Sequence, residues 1–263
     1  MRLRRMEELV LQAGAMLPAA SGHFAVHCKE GFGNYVTDCD IAVQNFLERE
    51  LLDLVPEASF LGEELDATAD AQSGWCFVVD PIDGTTNFMR DLSMSAVCVA
   101  LAWGGRVQAA FVYQPYLKQM YRAVRGEGAF LNGRPIHAAG RPLAKSIVQM
   151  GLAGHLRGQA TERAFAIQRR LFEQVENIRS YGVASLEILN IVAGRLDAYL
   201  SLELSPWDYA AAGLILQEAG GVITNLKGEP LTLSGKQSVL AASAAIYPEV
   251  LHLVQSPEKE SEF

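Results

Sequence analysis

Only four cysteines and five histidines occur in the 263 residues, and neither type clusters. Cys28, Cys39, Cys76 and Cys98 form no CxxC pair, and the histidines form no HExxH pattern, which sets zinc chemistry aside. Two of the cysteines lie in apolar, strand-like runs, where buried free thiols are expected in a reducing cytoplasm. Long apolar runs are missing too. The longest, Ala96 to Trp103, falls far short of the ~20 residues of a membrane span, so no membrane partner is expected. Met1-Arg2-Leu3-Arg4-Arg5 has the charge of a signal-peptide start, but Glu7, Glu8 and Gln12 interrupt the apolar stretch that should follow. Met6, Leu9, Val10, Ala13 and Leu17 instead recur at helical spacing and predict an amphipathic helix ending near Pro18. Positive charge is also scarce: 22 Lys and Arg against 30 Asp and Glu leave a net charge of −8. Direct nucleic-acid binding needs clustered basic residues, so none is expected.

Several phosphate-handling loops are absent as well. No GxxxxGK[ST] occurs, and Gly235-Lys236-Gln237 lacks both its spacing and its hydroxyl. Gly31-Phe32-Gly33 and Gly126-Glu127-Gly128 lack the third glycine of a dinucleotide loop. No GxSxG elbow is present, and no cysteine precedes a glycine-rich loop closed by arginine.

What the chain does contain is Asp80-Pro81-Ile82-Asp83-Gly84-Thr85-Thr86-Asn87-Phe88. The apolar run Trp75-Cys76-Phe77-Val78-Val79 before it predicts a buried strand, which Pro81 should end near Asp80. Gly84 permits a sharp turn, and Thr85 and Thr86 are placed to satisfy the free amides of a helix opening there. Two carboxylates three residues apart at a strand mouth, beside free N–H groups, suit a divalent cation and a phosphate. A plain polar turn is the alternative meaning. The DxDGT box of phosphoaspartyl phosphatases has its acids one residue closer, so a covalent aspartyl route is the lesser choice.

In chain order, residues 21–34 are rich in glycine and polar side chains and predict a loop carrying Lys29. Ile41, Val43, Phe46, Leu47, Leu51 and Leu52 predict a second helix, with Asp38 or Asp40 as its cap. Phe60-Leu61-Gly62 predicts a short strand leading to Glu63 and Glu64. Strands follow at 94–102, 107–113 and 119–124, with hairpin turns at Gly104-Gly105 and Asn132-Gly133. Beyond Ala138 the pattern predicts helices over 164–175 and 185–193, a strand over 196–204 and a helix over 207–219 with Asp208 at its start. Short strands at 222–223 and 239–242 and a last helix over 248–254 complete it. The order reads as α+β followed by α/β, two layered halves (1–137 and 138–263) with a cleft between them.

Asp80-Pro-Ile-Asp-Gly-Thr-Thr-Asn-Phe88 and Trp207-Asp208-Tyr-Ala-Ala-Ala-Gly213, continued by Glu218-Ala-Gly-Gly221, resemble the two signatures of the inositol monophosphatase family. Gly62-Glu63-Glu64, Val36-Thr37-Asp38-Cys39-Asp40 and Gly182-Val183-Ala184 are similar to further segments of it. The resemblance spans nearly the whole chain. It implies a five-layered α-β-α-β-α sandwich of the inositol monophosphatase and fructose-1,6-bisphosphatase type, with two or three Mg²⁺ ions in the cleft. One ion would be held by Glu63, Asp80 and the carbonyl of Ile82, a second by Asp80, Asp83 and Asp208, and a weaker third would lean on Glu63. Gly84 and Thr85 would offer amides to the phosphate, and Thr85 in contact with Asp40 would help deprotonate the attacking water. Asp83, Ala184, Ser201 and Asp208 would face the substrate. The resemblance also implies a homodimer in the cytoplasm.

One departure bears on specificity. Ser201 stands where many members of the family place a glutamate that grips ring hydroxyls, and Glu203, two residues on, is the expected substitute. The activity implied is Mg²⁺-dependent hydrolysis of inositol monophosphate or related sugar and nucleotide phosphates. The competing readings are an NADP(H), fructose-1,6-bisphosphate or 3′-phosphoadenosine phosphate phosphatase on the same scaffold, or a non-catalytic interaction protein that keeps the fold.

Overall fold

The computed structural model describes residues 2–20, 22–29, 33–64, 71–152 and 157–256. Helices α1 (Arg2–Ala20) and α2 (Asp38–Leu54) lie side by side, each burying one apolar stripe. α1 runs through Pro18 rather than ending there, because a proline in the last turn forfeits only one intrahelical bond. The predicted loop before α2 is partly ordered as a hairpin of β1 (Val26–Cys28) and β2 (Tyr35–Thr37). Three register pairs close it, too few to show as a periodic pattern in sequence.

The first sheet places β3 (Ser59–Gly62), β4 (Trp75–Asp83), β5 (Ala96–Trp103), β6 (Arg106–Gln114), β7 (Gln119–Val124), β8 (Ala129–Leu131) and β9 (Arg134–Ile136) in sequential order. Only β3 and β4 pair in parallel. Both expected hairpin turns are there, with positive φ at Gly104 (54°), Gly105 (76°), Asn132 (49°) and Gly133 (76°), as a type I′ turn requires.

The second sheet has the order β11 (Asn177–Arg179), β10 (Ile147–Gly151), β12 (Ala198–Leu204), β14 (Gln237–Ser243), β13 (Gly221–Thr224). Strands β10 and β11 have no counterpart in the sequence reading. β10 carries a buried Gln149 at its centre and a glycine at its end, so its apolar run is too short to stand out. It nevertheless pairs in parallel with both neighbours.

Three apolar clusters give the layering. The first joins α1 and α2 to one face of the first sheet through Leu9, Leu47, Phe77, Val99 and Phe111. The second fills the space between the two sheets with α5 (Ala184–Val192) and α6 (Pro206–Glu218), through Val78, Ala100, Ile188, Leu214 and Ala241. The third seats α4 (Gln159–Phe172) and α7 (Tyr247–Gln255) on the outer face of the second sheet, through Ile167, Leu200, Leu240 and Val250. The result is the α-β-α-β-α sandwich. α6 is apolar all round, with Ala210, Ala211, Ala212 and Gly213 letting it lie close between the sheets. Among the described residues no helix is long and apolar enough to cross a membrane.

Candidate active site

Strand β4 does not stop at Asp80; it continues through Pro81 to Asp83. The ladder with β5 shifts there, from Asp80 opposite Cys98 to Asp83 opposite Ala96, so β4 carries one extra residue. A bulge is where a sheet tolerates a proline. It also changes which way the side chains face. Residues three apart point to opposite faces of a regular strand, but the extra residue lets Asp80 and Asp83 address one site, where both are buried. Asp80 Oδ1 accepts the Ile82 amide at 3.0 Å.

Gly84 follows in the left-handed region (φ 89°, ψ 41°) and opens the short helix α3 (Thr85–Met89). A Cβ at Gly84 would stand 2.7 Å from Val183 Cγ2 and 3.2 Å from the Met94 carbonyl. The expected threonine capping does not form: among the described residues no side chain caps α3. The Thr85 hydroxyl instead faces Asp40 Oδ1 at 3.2 Å and the Ile82 carbonyl at 3.1 Å.

Asp40 reaches Thr85 from the start of α2. Neither Asp38 nor Asp40 is the cap there; Thr37 is, because its extended backbone leaves its hydroxyl free to accept the Asp40 amide at 3.3 Å. Asp40 returns the contact, Oδ2 accepting the Thr37 amide at 2.8 Å. This capping box leaves Oδ1 for Thr85. Asp208 does the same at α6, with Oδ2 accepting the Ser205 amide at 2.7 Å. Glu63, just past β3, meets Lys29 Nζ at 3.2 Å, and Glu64 meets the same ammonium at 2.6 Å.

The acids therefore arrive from four places in the chain, and their charges bear on one another. Burial pushes Asp80 well above the usual carboxylate range, and Glu63, Asp83, Asp208 and Asp40 push it further. Asp208 is raised well above that range by burial, then by Glu63 and Asp83. Burial lifts Asp83 to about 6, against the Ser185 contact, whose amide donates to Asp83 Oδ2 at 2.7 Å. Glu63 is raised by burial, with Lys29 opposing. Lys29 is itself held protonated by Glu63 and Glu64, which outweigh its own burial. Among the described residues, no three Asp, Glu, His or Cys side chains form a ready-made ion cage. Each acid is turned toward a donor instead: Lys29, Ile82 N–H, Ser185 N–H or Ser205 N–H. In charge and donor chemistry the set fits a hard divalent cation, which takes oxygen ligands and offsets mutual carboxylate repulsion.

Beside the acids lies a cavity of about 420 Å³, lined among others by Asp83, Asn87, Ala184, Glu187, Ser201 and Asp208. Ser201 is fully buried in it. Glu203 does not substitute for it: β12 has its own register shift between Ser201 and Leu204, and Glu203 pairs with Lys236 at 2.7 Å. Asn87 and Glu187 are among the lining residues that escaped the sequence reading. Asn87 donates its amide to the Tyr181 carbonyl at 2.7 Å, tying α3 to the second half of the chain. Glu187 is a buried acid in α5, whose signal was one carboxylate among Leu186, Ile188, Leu189, Ile191 and Val192.

The model of the inositol monophosphatase family matches residues 4–258. The chain belongs to the inositol monophosphatase family. An inositol-1-monophosphatase of Mesorhizobium japonicum is 33% identical over 260 residues, which cover 97% of this chain and 96% of that protein. The crystal structure of extragenic suppressor protein suhB from Bartonella henselae superposes with a TM-score of 0.89 at 29% identity, covering 97% of this chain and 98% of that one. A staphylococcal inositol monophosphatase II bound to 2′-AMP superposes with a TM-score of 0.79 at 29% identity, covering 93% and 90%.

Proposed function

We propose that the chain is a Mg²⁺-dependent phosphomonoesterase of small polyol or nucleotide phosphates, its site formed where the halves 1–137 and 138–263 meet. The observation that carries this reading is Asp80: a buried carboxylate raised first by its burial and then by the charges of Glu63, Asp83, Asp208 and Asp40, which gather around it from three other places in the chain and its own strand. Four further anions around a buried one have little other purpose than to hold cations. Glu63, Asp80, Asp83, Asp208 and the Ile82 carbonyl would hold Mg²⁺, in two or three sites. Bound there, Mg²⁺ would activate a water toward phosphorus and neutralise the departing oxygen.

The chain's own groups supply the rest. The Thr85 hydroxyl, bonded to Asp40 Oδ1, forms a proton path from the cleft into a buried carboxylate. Burial raises Asp40 above its ordinary range, which brings it closer to the acidity a working base needs. The amides of Gly84 and Thr85, left without a side-chain cap, serve the phosphate. Asn87 and the Ser185 amide hold the loop after β4 against the 181–185 turn, which fixes Ala184 at the substrate's side of the cavity.

Ser201 is shorter than a glutamate and uncharged, which favours a substrate range wider than myo-inositol phosphate. The 2′-AMP held by the staphylococcal relative supports including nucleoside 2′-phosphates, and with them the 2′-phosphate of NADP. The test is phosphate release from inositol-1-phosphate, 2′-AMP, NADP, fructose-1,6-bisphosphate and p-nitrophenyl phosphate, with Mg²⁺ and with EDTA. Release that needs Mg²⁺ and disappears in folded Asp83→Asn is the expected result. Release that ignores the chelator, or no release from any ester, overturns the reading in favour of another mechanism or a non-catalytic role.

A further inference from the structure

Glu187 has no part in the chemistry described so far, yet the fold keeps it where a carboxylate is costly. It is 1% exposed, on a helix whose other buried residues are aliphatic apart from Ser185. No lysine or arginine forms an ion pair with it among the described residues. Burying an ion without a counter-ion is unfavourable unless hydrogen bonds replace its water. Some are provided: Oε1 accepts the Tyr181 amide at 2.8 Å, and the amides of Val183 and Gly182 also face the group. Its main chain is held as well, the Glu187 carbonyl accepting Gln149 Nε2 at 2.7 Å. The carboxylate is therefore fixed in place, and it lines the same cavity as Asp83 and Asp208.

Its neighbours there are hydroxyls. Tyr199, fully buried on β12, has its phenol raised well above the ordinary value by burial and then by the charge of Glu187. Ser201 lies two residues along the strand, beside the same phenol. Gly151, opposite Ser201 in the sheet, keeps the space open: a Cβ at 151 would stand 2.6 Å from the Tyr199 hydroxyl and 3.3 Å from Ser201 Cβ. One anchored carboxylate and two hydroxyls thus share a cavity wall, and among these three the carboxylate is the strongest hydrogen-bond acceptor for a polyol's hydroxyls.

We propose that Glu187, with Tyr199 beside it, is the residue by which this chain grips the ring hydroxyls of its substrate, in place of the carboxylate missing at Ser201. The inference rests on the phosphatase reading above and deepens it. It makes Glu187 a specificity determinant for polyol and ribose phosphates. A site built to hydrogen-bond a substrate hydroxyl discriminates strongly against a substrate that lacks one.

Glu187→Gln tests this, because glutamine keeps an oxygen for the Tyr181 amide while it removes the charge and replaces the second acceptor oxygen by a donor. Steady-state kinetics compare inositol-1-phosphate with p-nitrophenyl phosphate, which has no ring hydroxyl. A hydrogen bond to a charged group corresponds to roughly 10- to 100-fold in affinity. The expected result is that KM for the inositol ester rises at least about tenfold more than KM for the aryl ester. Ser201→Glu added to Glu187→Gln should then recover much of the difference. Equal losses on both esters, or an unchanged KM for inositol-1-phosphate, overturn the assignment and leave Glu187 a structural brace of the 181–183 turn. Should Glu187→Gln fail to fold, Glu187→Asp keeps the charge and shortens its reach, and the same KM ratio decides. A wild-type chain that hydrolyses neither ester sinks the phosphatase reading and this assignment together, an outcome distinct from equal losses.

Discussion

Helices α6 and α3 open on the same cleft and begin in opposite ways. At α6 an aspartate three residues in, Asp208, folds back and accepts the Ser205 amide. At α3 the chain enters through Gly84 at φ 89°, and among the described residues no side chain caps the first turn. The other two helices at the cleft follow α6: Asp40 returns to Thr37 on α2, and Glu187 to Tyr181 on α5. A helix start is a row of free donors at the positive end of a dipole, and an anion is favourable there. Three helices bring their own anion and one does not. Where the chain supplies carboxylates, a cation can be gathered; where it supplies none, donors remain for an anion that arrives from outside. On the proposed reading, that contrast separates the metal side of the cleft from the phosphate side.

Removing a carboxylate from the α6 pattern should break it most severely. Asp208→Asn keeps an oxygen for the Ser205 amide but removes one of the charges bearing on Asp80. With substrate and Mg²⁺ saturating, kcat should fall by about 10³-fold or more, within the several kcal/mol that metal-centred charge stabilisation supplies. Circular dichroism should show the fold retained. A variant with near wild-type kcat would mean that Asp208 is only a capping acid.

Glu187 sharpens the comparison by its cost in stability. Burial lifts its pKa from 4.5 to about 7, so the folded chain holds it neutral below that pH and as the carboxylate above it. The associated stability is complete below the unfolded value of 4.5 and is lost as pH rises through about 7. At pH 8 the wild type carries the whole penalty, up to about 3 kcal/mol. Glu187→Gln should therefore be more stable than wild type in urea at pH 8, and by much less at pH 5. Equal curves at both pH values would show that the amides of the 181–183 turn fully compensate the charge.

The acids and the glycine of this contrast were legible in the residues, but the uncapped start of α3 was not, since Thr85 and Thr86 were expected to cap it. Asp80, Asp83, Gly84 and Asp208 announce themselves because acids, glycine and proline in a fixed order leave few conformations open. The hairpin turns at Gly104-Gly105 and Asn132-Gly133 were legible for the same reason. The continuation of β4 past Pro81 was not, because a bulge depends on the register of the partner strand β5, which no local pattern carries. The shift in β12 that sends Glu203 to Lys236 was hidden in the same way. Strand β10 was masked by Gln149, a polar residue whose burial depends on α5 lying over it. Glu187 was passed over because one acid in an apolar helix has meaning only once the cavity beside it is known.

At α3 the comparison can be broken from the other side, with a smaller effect. Gly84→Ala puts a methyl group in the left-handed region, at roughly 1–2 kcal/mol, and drives it toward Val183 Cγ2 at 2.7 Å. A total destabilisation of about 2 kcal/mol is expected, with weaker retention of inorganic phosphate as a product inhibitor. Adding Val183→Ala should relieve the crowding but not the backbone strain, so recovery should be partial. Full recovery would mean that φ at residue 84 is not constrained by the turn.

The smallest effect belongs to the cap that Asp40 shares. Thr37→Val keeps the β-branched shape and removes the hydroxyl that accepts the Asp40 amide and donates to Asp40 Oδ2, at about 1 kcal/mol of stability. The Thr37 amide still holds Asp40 Oδ2, and Oδ1 still faces Thr85. Stability should therefore drop in urea unfolding while kcat changes by less than about tenfold, a smaller shift than general acid–base groups give when they are removed. Thr85→Ala in the same assay is the contrast: it leaves the α2 cap whole and takes away the hydroxyl that donates to Asp40 Oδ1, the proposed proton path. If Thr37→Val lowered kcat as far as Thr85→Ala does, the capping box would be holding the Asp40 carboxylate at the angle the reaction needs, and helix start and catalytic pair would be one unit rather than two.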